Sequence, residues 1–594
     1  MLYPELQNTQ AQRLWTEQFI GLDRRPRAYD GAFSSMGNMS GDPFPLLSSR
    51  KKRGLVAALE EPKALAALGE LAWIDGNALY YGGQKTALDD LSDEGPKRIV
   101  TMGAYLLVFP DRVYYNTAKP EDYGAIDRLW ESSGDVAFTL CDMDGIDYPR
   151  GKFTVSDEPP ENPEYGDYWI NTSEETHTLY QYNEMYEDWY GVSSVYIKIA
   201  ATGIGAGLNV QDGVELSGIA YDGEDESLKK QFDFLNEAMT VMAVDDDYIL
   251  VIGIIDQNWT QTSGTVRADR KMPEMEYIIE CNNRLWGCHY GENPDGEFYN
   301  LIYASALGDF KNWQKFMGTS QDSYFVYVGT PGPFTGAAVH RGNPYFFKRD
   351  CVHKIYGAMP SNFQTQVTIG DGVLPGCDKT LVPYNGVMYY LSAVGVMAFE
   401  SLPQKISAQL GDVRLTAGAA GQCGGLYYLS AQDQDGQWSL YTYDTERGLW
   451  HRQDGAHAMA FAALNGEMYM LESNGLLWAM NGQAGEIEES AVEWFAETAP
   501  MGLDMPSHKY IGRLFIRAML KEHGECRVYI QYDNDGIWRS KGVIRGTGKT
   551  EPYLLAIQPR RCDQMKLRLE GNGDFMLYGI GRNLMNGSDR TWRR

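Results

Sequence analysis

Apolar and polar residues alternate in short runs along most of the chain, and glycine or asparagine separates the runs, the pattern of half-buried strands joined by tight hairpins. One phrase recurs. YNGVMYYLSAVGVMAFE at 384–400 and LNGEMYMLESNGLLWAM at 464–480 share an Asn-Gly turn, a Met-Tyr pair and a second glycine, with Gly386 and Gly466, like Gly395 and Gly475, 80 residues apart. Between them Gly424, Leu426, Tyr427 and Leu429 fall 38 residues after Gly386, Met388, Tyr389 and Leu391, and 42 before Gly466, Met468, Tyr469 and Leu471. A period of about 40 residues is that of a four-stranded propeller blade. Upstream, RGNPYFFKRDCVHKIYG (341–357) sets Gly342 44 residues before Gly386, and NNRLWGCHYG (282–291) with NLIYASALGDFKNWQKF (300–316) reads as a further blade. IDGNALYYGG (74–83) and MGAYLLVFPDRVYYN (102–116) repeat the turn-then-aromatic rhythm. One such sheet alone leaves both faces open; radial stacking covers them, so the repeat predicts a ring.

The rhythm breaks twice. From 118 to 268 the texture changes: SDEPPENPEYGDYWIN is proline-rich and acidic, LYQYNEMYEDWYGV alternates as a small hairpin, and 207–255 reads as strand, short helix or loop, then two strands. After 496 the phrase stops but strands continue, and Met565, Leu567 and Leu569 alternate with Lys566, Arg568 and Glu570 as in a β-sandwich. The expected fold is all-β: a β-propeller with an inserted small β module and a C-terminal β-sandwich-like domain. Its parts are an extended arm at 1–54, propeller at 55–117, inserted module at 118–268, the remainder of the propeller at 269–495 and the sandwich at 496–594.

Charge bears on what such a ring does. The 594 residues carry 52 Lys and Arg against 80 Asp and Glu, a formal charge of -28, which argues against a surface that wraps nucleic acid. A ring with an acidic bore would repel a phosphate backbone and let it slide; equally, acidity keeps a large protein soluble. The eight cysteines form no CxxC pair and read as free core thiols. MLYPELQNTQAQR has no signal-peptide pattern and the longest apolar run, YILVIGII, is far short of the ~20 residues of a membrane helix. Synthesis in a reducing cytoplasm without membrane insertion is expected.

The chemistry-bearing motifs are weak. GTGKT at 546–550 ends like a phosphate-binding loop, but Val543 stands where the first glycine belongs and a strand follows. DQDGQW (433–438) and DNDGIW (533–538) miss the calcium-loop pattern and read as Asp-Gly turns. GIGAG (203–207) lacks dinucleotide spacing, the eight histidines form no HxH or HExxH pair, and no GxSxG elbow occurs. The expectation is no enzyme: no catalytic residue, no cofactor and no metal. The aromatics Trp169, Tyr180, Tyr182, Tyr186, Trp189 and Tyr190 can form either a sugar-stacking platform or the core of a small module; Trp169, Tyr180, Tyr182 and Trp189 are the candidate glycan contacts.

The arm carries two basic clusters, Arg24, Arg25 and Arg27, then Arg50, Lys51, Lys52 and Arg53. Against the acidic whole they serve either to bind the chain's own propeller or to dock on an acidic neighbour. The order GLDRRPR, DGAFSSMGNMS, PLLSSRKKRG, then NRLWGCHYG, NLIYASALGDFKNW and GTPGPFTGAAVHRGNPYFFKRDCVHKIYG, resembles the tail stabilisation, or nozzle, propeller proteins of tailed bacteriophages and related prophages. IYASALGDFKNW is the most specific piece, and the likeness covers the arm and the propeller. The resemblance implies a virion tail subunit in a homo-oligomeric ring, commonly six-fold, below a portal and adaptor, with DNA passing through unbound. The alternative is a receptor-binding or carbohydrate-recognising tail protein that uses the inserted aromatics.

Overall fold

The computed structural model describes residues 12–26, 28–93, 95–148, 153–174, 176–292, 296–482, 485, 487–490, 492–503, 509–558 and 560–586. Strands make up about half of the chain, and among the described residues the one α-helix is Glu226–Phe234. The fold is a β-propeller with an inserted β module and a C-terminal β-sandwich.

Seven sheets form the blades. In chain order blades 1 to 6 span 62–85, 98–125, 277–327, 334–369, 382–405 and 415–452, each a four-stranded meander. Blade 7 takes three strands from 458–479 and its outer strand, Gly54–Ala58, from the far end of the chain, with Ile487–Glu488 added at the edge. The first strand of each blade touches the first strand of the next, and blade 7 touches blade 1, so the ring is closed.

The recurring phrase is a turn. In blades 3 to 7 the first hairpin turns on Asn282-Asn283, Arg341-Gly342, Asn385-Gly386, Gly424-Gly425 and Asn465-Gly466, all with φ between 46° and 82°. Two consecutive positive φ angles give the turn whose twist matches paired antiparallel strands, which is why Asn and Gly dominate it. The Tyr and Leu that follow, two residues apart, share one face and pack on one neighbouring blade, while the residues between them face the other: Tyr469 and Leu471 meet blade 1, Met468 and Met470 blade 6. Tyr389, Tyr427 and Tyr469 are buried in this way, as are Leu391, Leu429 and Leu471.

The insert leaves the ring between blades 2 and 3. Its main sheet has seven strands in the order Trp259–Gln261, Val136–Cys141, Tyr196–Ala200, Tyr248–Ile252, Ala238–Asp245, Gly213–Ser217 and Arg267–Asp269. The helix starts at Asp225, whose carboxylate accepts the amides of Ser227 and Leu228, and it buries Leu228 and Phe232 against this sheet. A separate four-stranded sheet comprises Phe153–Ser156, Tyr168–Asn171, Thr178–Asn183 and Asp188–Gly191. The loop read as distinctive, IYASALGDFKNW, joins insert to propeller: Trp313 is buried between blades 2 and 3, and Asn312 Nδ2 donates to the Gln211 carbonyl (3.0 Å). Beside it Arg270 and Asp212 form a buried ion pair at 2.5 Å.

The arm is woven into both neighbouring units. Phe33–Gly37 is the edge strand of one sandwich sheet, beside Glu493–Thr498, while Met39–Ser40 and Leu47–Ser49 extend the other beside Phe575–Asn586. Phe19, Leu22, Met36, Met39 and Leu47 join a single core with Trp450 of blade 6 and Trp494 of the sandwich. All eight cysteines are free and buried.

Candidate functional site

Three places were singled out by the residues: the propeller axis, the basic arm and the inserted aromatics. The axis holds a cavity of about 460 Å³ walled by the first strands of the blades, with Ile99, Ile279, Leu381 and Phe461 among its apolar residues. Arg98 of blade 2 reaches across to pair with Asp378, which lies before blade 5. Lys379 lies beside them, its pKa lowered by burial. Glu280, the other carboxylate there, accepts the Asn283 amide at 2.8 Å. Burial pushes up the carboxyls of Glu276, Asp309 and Glu472, none of which lines this cavity. The bore along the propeller axis is therefore mixed, with Lys97, Arg98 and Lys379 against Glu280 and Asp378 among apolar residues, and it is crossed by an ion pair, unlike the acidic bore expected from net charge.

The basic clusters divide by burial. Arg50 and Arg53, placed by sequence at a docking surface, are 7% and 3% exposed. Arg50 holds Glu489 with both terminal nitrogens, at 2.6 and 2.8 Å, and gives its Nε to Asn38 at 2.7 Å. Arg53 pairs with Asp454 at 2.8 Å and lies 3.8 Å from Glu472. Burial lowers the Arg53 pKa against the pull of these carboxylates, and it would raise that of Glu489 but for Arg50 and Arg53, which bring it below the ordinary value. These two arginines clasp the strand Gly54–Ala58 to blade 7, so the docking role is withdrawn for them. A charge with three carboxylate neighbours in a buried site has no surface to offer a partner. Arg25 spends its charge on buried Asp23 at 2.6 Å, and Arg24 is half-buried with its amide bonded to the Gln409 carbonyl. Lys51 is exposed and Lys52 sits 3.7 Å from exposed Glu488. Arg27 lies outside the described residues.

The aromatics sit on the small sheet of the insert. Trp169 pairs across strands with Tyr180, and Tyr182 with Trp189, which puts all four rings on one face. Ile170 and Leu179 occupy the opposite face and pack on the insert's core. Trp169 is the floor of the aromatic face, 6% exposed, with Nε1 donating to the Ser156 carbonyl at 3.0 Å. Tyr180 stacks on it at 5.2 Å and Trp189 meets it edge-on at 5.7 Å, while Tyr182 leans on Trp189 at 5.4 Å. Tyr180, Tyr182 and Trp189 are half-buried; Tyr186 and Tyr190 are exposed. Core and platform thus coexist, with Trp169 as support and the other three as surface.

A polar cleft that sequence reasoning missed runs between sandwich and propeller. It has a volume of about 550 Å³ and is walled by Asn38, Arg452, Asp454, Arg527, Arg568 and Glu570 among others. Its charges are largely satisfied within the chain, Arg568 by Glu497 (2.9 Å) and Glu570 (3.0 Å).

No family model and no curated protein matches the chain. Among solved structures, it is similar to an exo-β-1,3-galactanase from Phanerochaete chrysosporium at 10% identity over 51% of this chain and 94% of that one, TM-score 0.18. An arabinoxylan arabinofuranohydrolase from Bacillus subtilis matches at 10% identity over 52% and 95%, TM-score 0.16. A Trypanosoma rangeli sialidase matches at 8% identity over 98% and 96%, TM-score 0.19. The sequence reading that the chain is not an enzyme is corrected by these neighbours, which are glycoside hydrolases and a sialidase. At these TM-scores and identities the likeness assigns this chain neither an activity nor a residue's role.

Proposed function

We propose that the chain is a structural subunit of a tailed-bacteriophage tail, a nozzle or connector ring protein that joins head–tail partners and encloses the DNA exit channel between copies of itself. The observation that supports this reading is the placement of exposed apolar side chains. Phe325 and Tyr327 on the outermost strand of blade 3, with Val367 and Ile369 on that of blade 4, are 43–76% exposed on adjoining outer edges. An apolar rim of this kind suits side-by-side association of identical subunits. The cavity on the propeller axis has the size of a small-molecule pocket, so a genome would run between copies, past a surface whose net charge of -28 repels phosphate. Negative-stain imaging of the purified protein tests this: rings of defined symmetry are expected, and Phe325→Asp with Tyr327→Asp reduces them to monomers of unchanged thermal stability. A wild type that stays monomeric at all concentrations, and in the presence of its tail neighbours, overturns the reading.

A second reading, a carbohydrate-recognising adhesion protein, is favoured by the outward aromatic face of Tyr180, Tyr182 and Trp189. Saturable glycan binding that disappears in Trp189→Ala is its test.

A further inference from the structure

The aromatic face of the small sheet has a second property, its charge. Between Phe153 and Val192 the chain carries ten Asp and Glu and no Lys or Arg. Glu184 and Glu187 are exposed in the turn that joins the strands of Tyr182 and Trp189. On the other side the loop before Tyr168 is bonded to Tyr182 through the Tyr182 amide to the Asp167 carbonyl (2.9 Å) and the Gly166 amide to the Tyr182 carbonyl (3.3 Å), and it brings exposed Glu164 to the same region.

Ring geometry and charge together restrict the occupant. Neighbouring rings lie 5.2–5.7 Å apart between centroids, with Tyr182 inclined at 59° to Trp189, so they form a stepped shelf and leave no gap in which opposed rings would box a methylammonium group. A shelf suits a flat apolar surface such as the C–H face of a pyranose. Among the described residues no Lys or Arg pairs with Glu164, Glu184 or Glu187, and such carboxylates repel an acidic sugar and attract a positive one, while an ammonium group gains further from the faces of Tyr and Trp rings.

We propose that this shelf binds a polymer of amino sugars whose amino groups are free and protonated, with pyranose faces on Tyr180, Tyr182 and Trp189 and ammonium groups toward Glu184 and Glu187. The inference rests on the carbohydrate-recognition reading above and names its ligand class. Calorimetric titration of the full chain with a short β-1,4-glucosamine oligomer, its fully N-acetylated counterpart and polylysine, in mildly acidic buffer, tests it. Saturable binding of the free-amine oligomer is expected, weakened roughly tenfold by Trp189→Ala and severalfold by the double variant Glu184→Gln, Glu187→Gln, with the acetylated oligomer and polylysine far weaker. The glutamate variant leaves every ring in place, so its loss of affinity does not depend on how the module tolerates Trp189→Ala. If the acetylated oligomer binds equally well, the carbohydrate reading stands and the cationic ligand is overturned. If polylysine competes as effectively as the amino sugar, charge alone is recognised and the proposal falls. If neither sugar binds, the amino-sugar ligand is overturned, and the carbohydrate reading is left to the glycan test above.

Discussion

The ring departs from a simple succession of blades at two joints, and they are built differently. At blade 7 it is closed by a strand from the arm, and the closure is locked by Arg50 and Arg53 among Asp454, Glu472 and Glu489. Between blades 2 and 3 it admits an insert of about 150 residues, yet the first strands of those blades still touch, and the guest is tied down by one fully buried ion pair among the described residues, Arg270–Asp212, with the half-buried pair Arg112–Asp127 and the Asn312–Gln211 hydrogen bond beside it. An insertion in an outer connection leaves the burial of blade faces intact. A missing last strand would expose an edge and unseal the ring. The heavier electrostatic fastening lies where the architecture has more to lose.

Four measurements break or sharpen this contrast. Arg53→Ala removes a buried cation from half-buried Asp454 and Glu472, leaving Arg50 alone on the cluster, and should cost about 3 kcal/mol in guanidinium unfolding of the whole propeller; a loss under ~1 kcal/mol would demote the clasp to an ordinary surface pair. Asp212→Ala strands Arg270 and should cost about 3 kcal/mol, read by hydrogen exchange as opening of the insert while the blades stay protected. Uniform loosening of the ring would contradict the distinction.

The third is acid sensitivity. His451 lies beneath the arm, where a Cβ on Gly41 would come within 2.4 Å of its ring, and burial lowers its pKa from 6.5 to about 4. The unfolded chain then binds the proton more readily than the folded one, so stability present above pH 6.5 is lost as pH falls toward 4. His353, similarly buried with a pKa of about 4, acts in the same window. His451→Gln should flatten the melting-temperature profile there by the equivalent of about 2 kcal/mol. An unchanged slope would assign the acid loss elsewhere. The smallest effect belongs to Lys52→Glu, whose exposed partner at 3.7 Å predicts a change within about 0.5 kcal/mol, against the large loss at Arg53 one position on.

The propeller was legible because one local requirement recurs: two positive φ angles select Asn-Gly or Gly-Gly, and strand alternation then fixes Tyr and Leu. Blade 3 was legible from NNRLWGCHYG and NLIYASALGDFKNWQKF, although its turn is Asn282-Asn283 and the long 305–323 loop splits its strands. The arm is extended in the sequence reading, and its strands, as short as Met39–Ser40, carry too few residues to show a period; the sandwich partners of Phe33–Gly37 and Leu47–Ser49 lie more than 400 residues away. Distance of that kind also hid the fate of Arg50 and Arg53, since Glu489 and Asp454 are named by no local pattern. The aromatics of the insert could be found but not sorted. Only cross-strand register gathers them on one face, and only burial separates Trp169 beneath from Tyr182 and Trp189 at the surface.

Blade 7 sets a condition on birth. Ala58 leaves the ribosome early but pairs with Leu476, about 400 residues later, so at roughly 5–20 residues per second the nascent ring waits from about twenty to more than eighty seconds for its mate. Throughout that interval the half-made circle presents naked strand borders to every neighbouring polysome, and a chaperone that shields them would find its client here before the final blade is spoken.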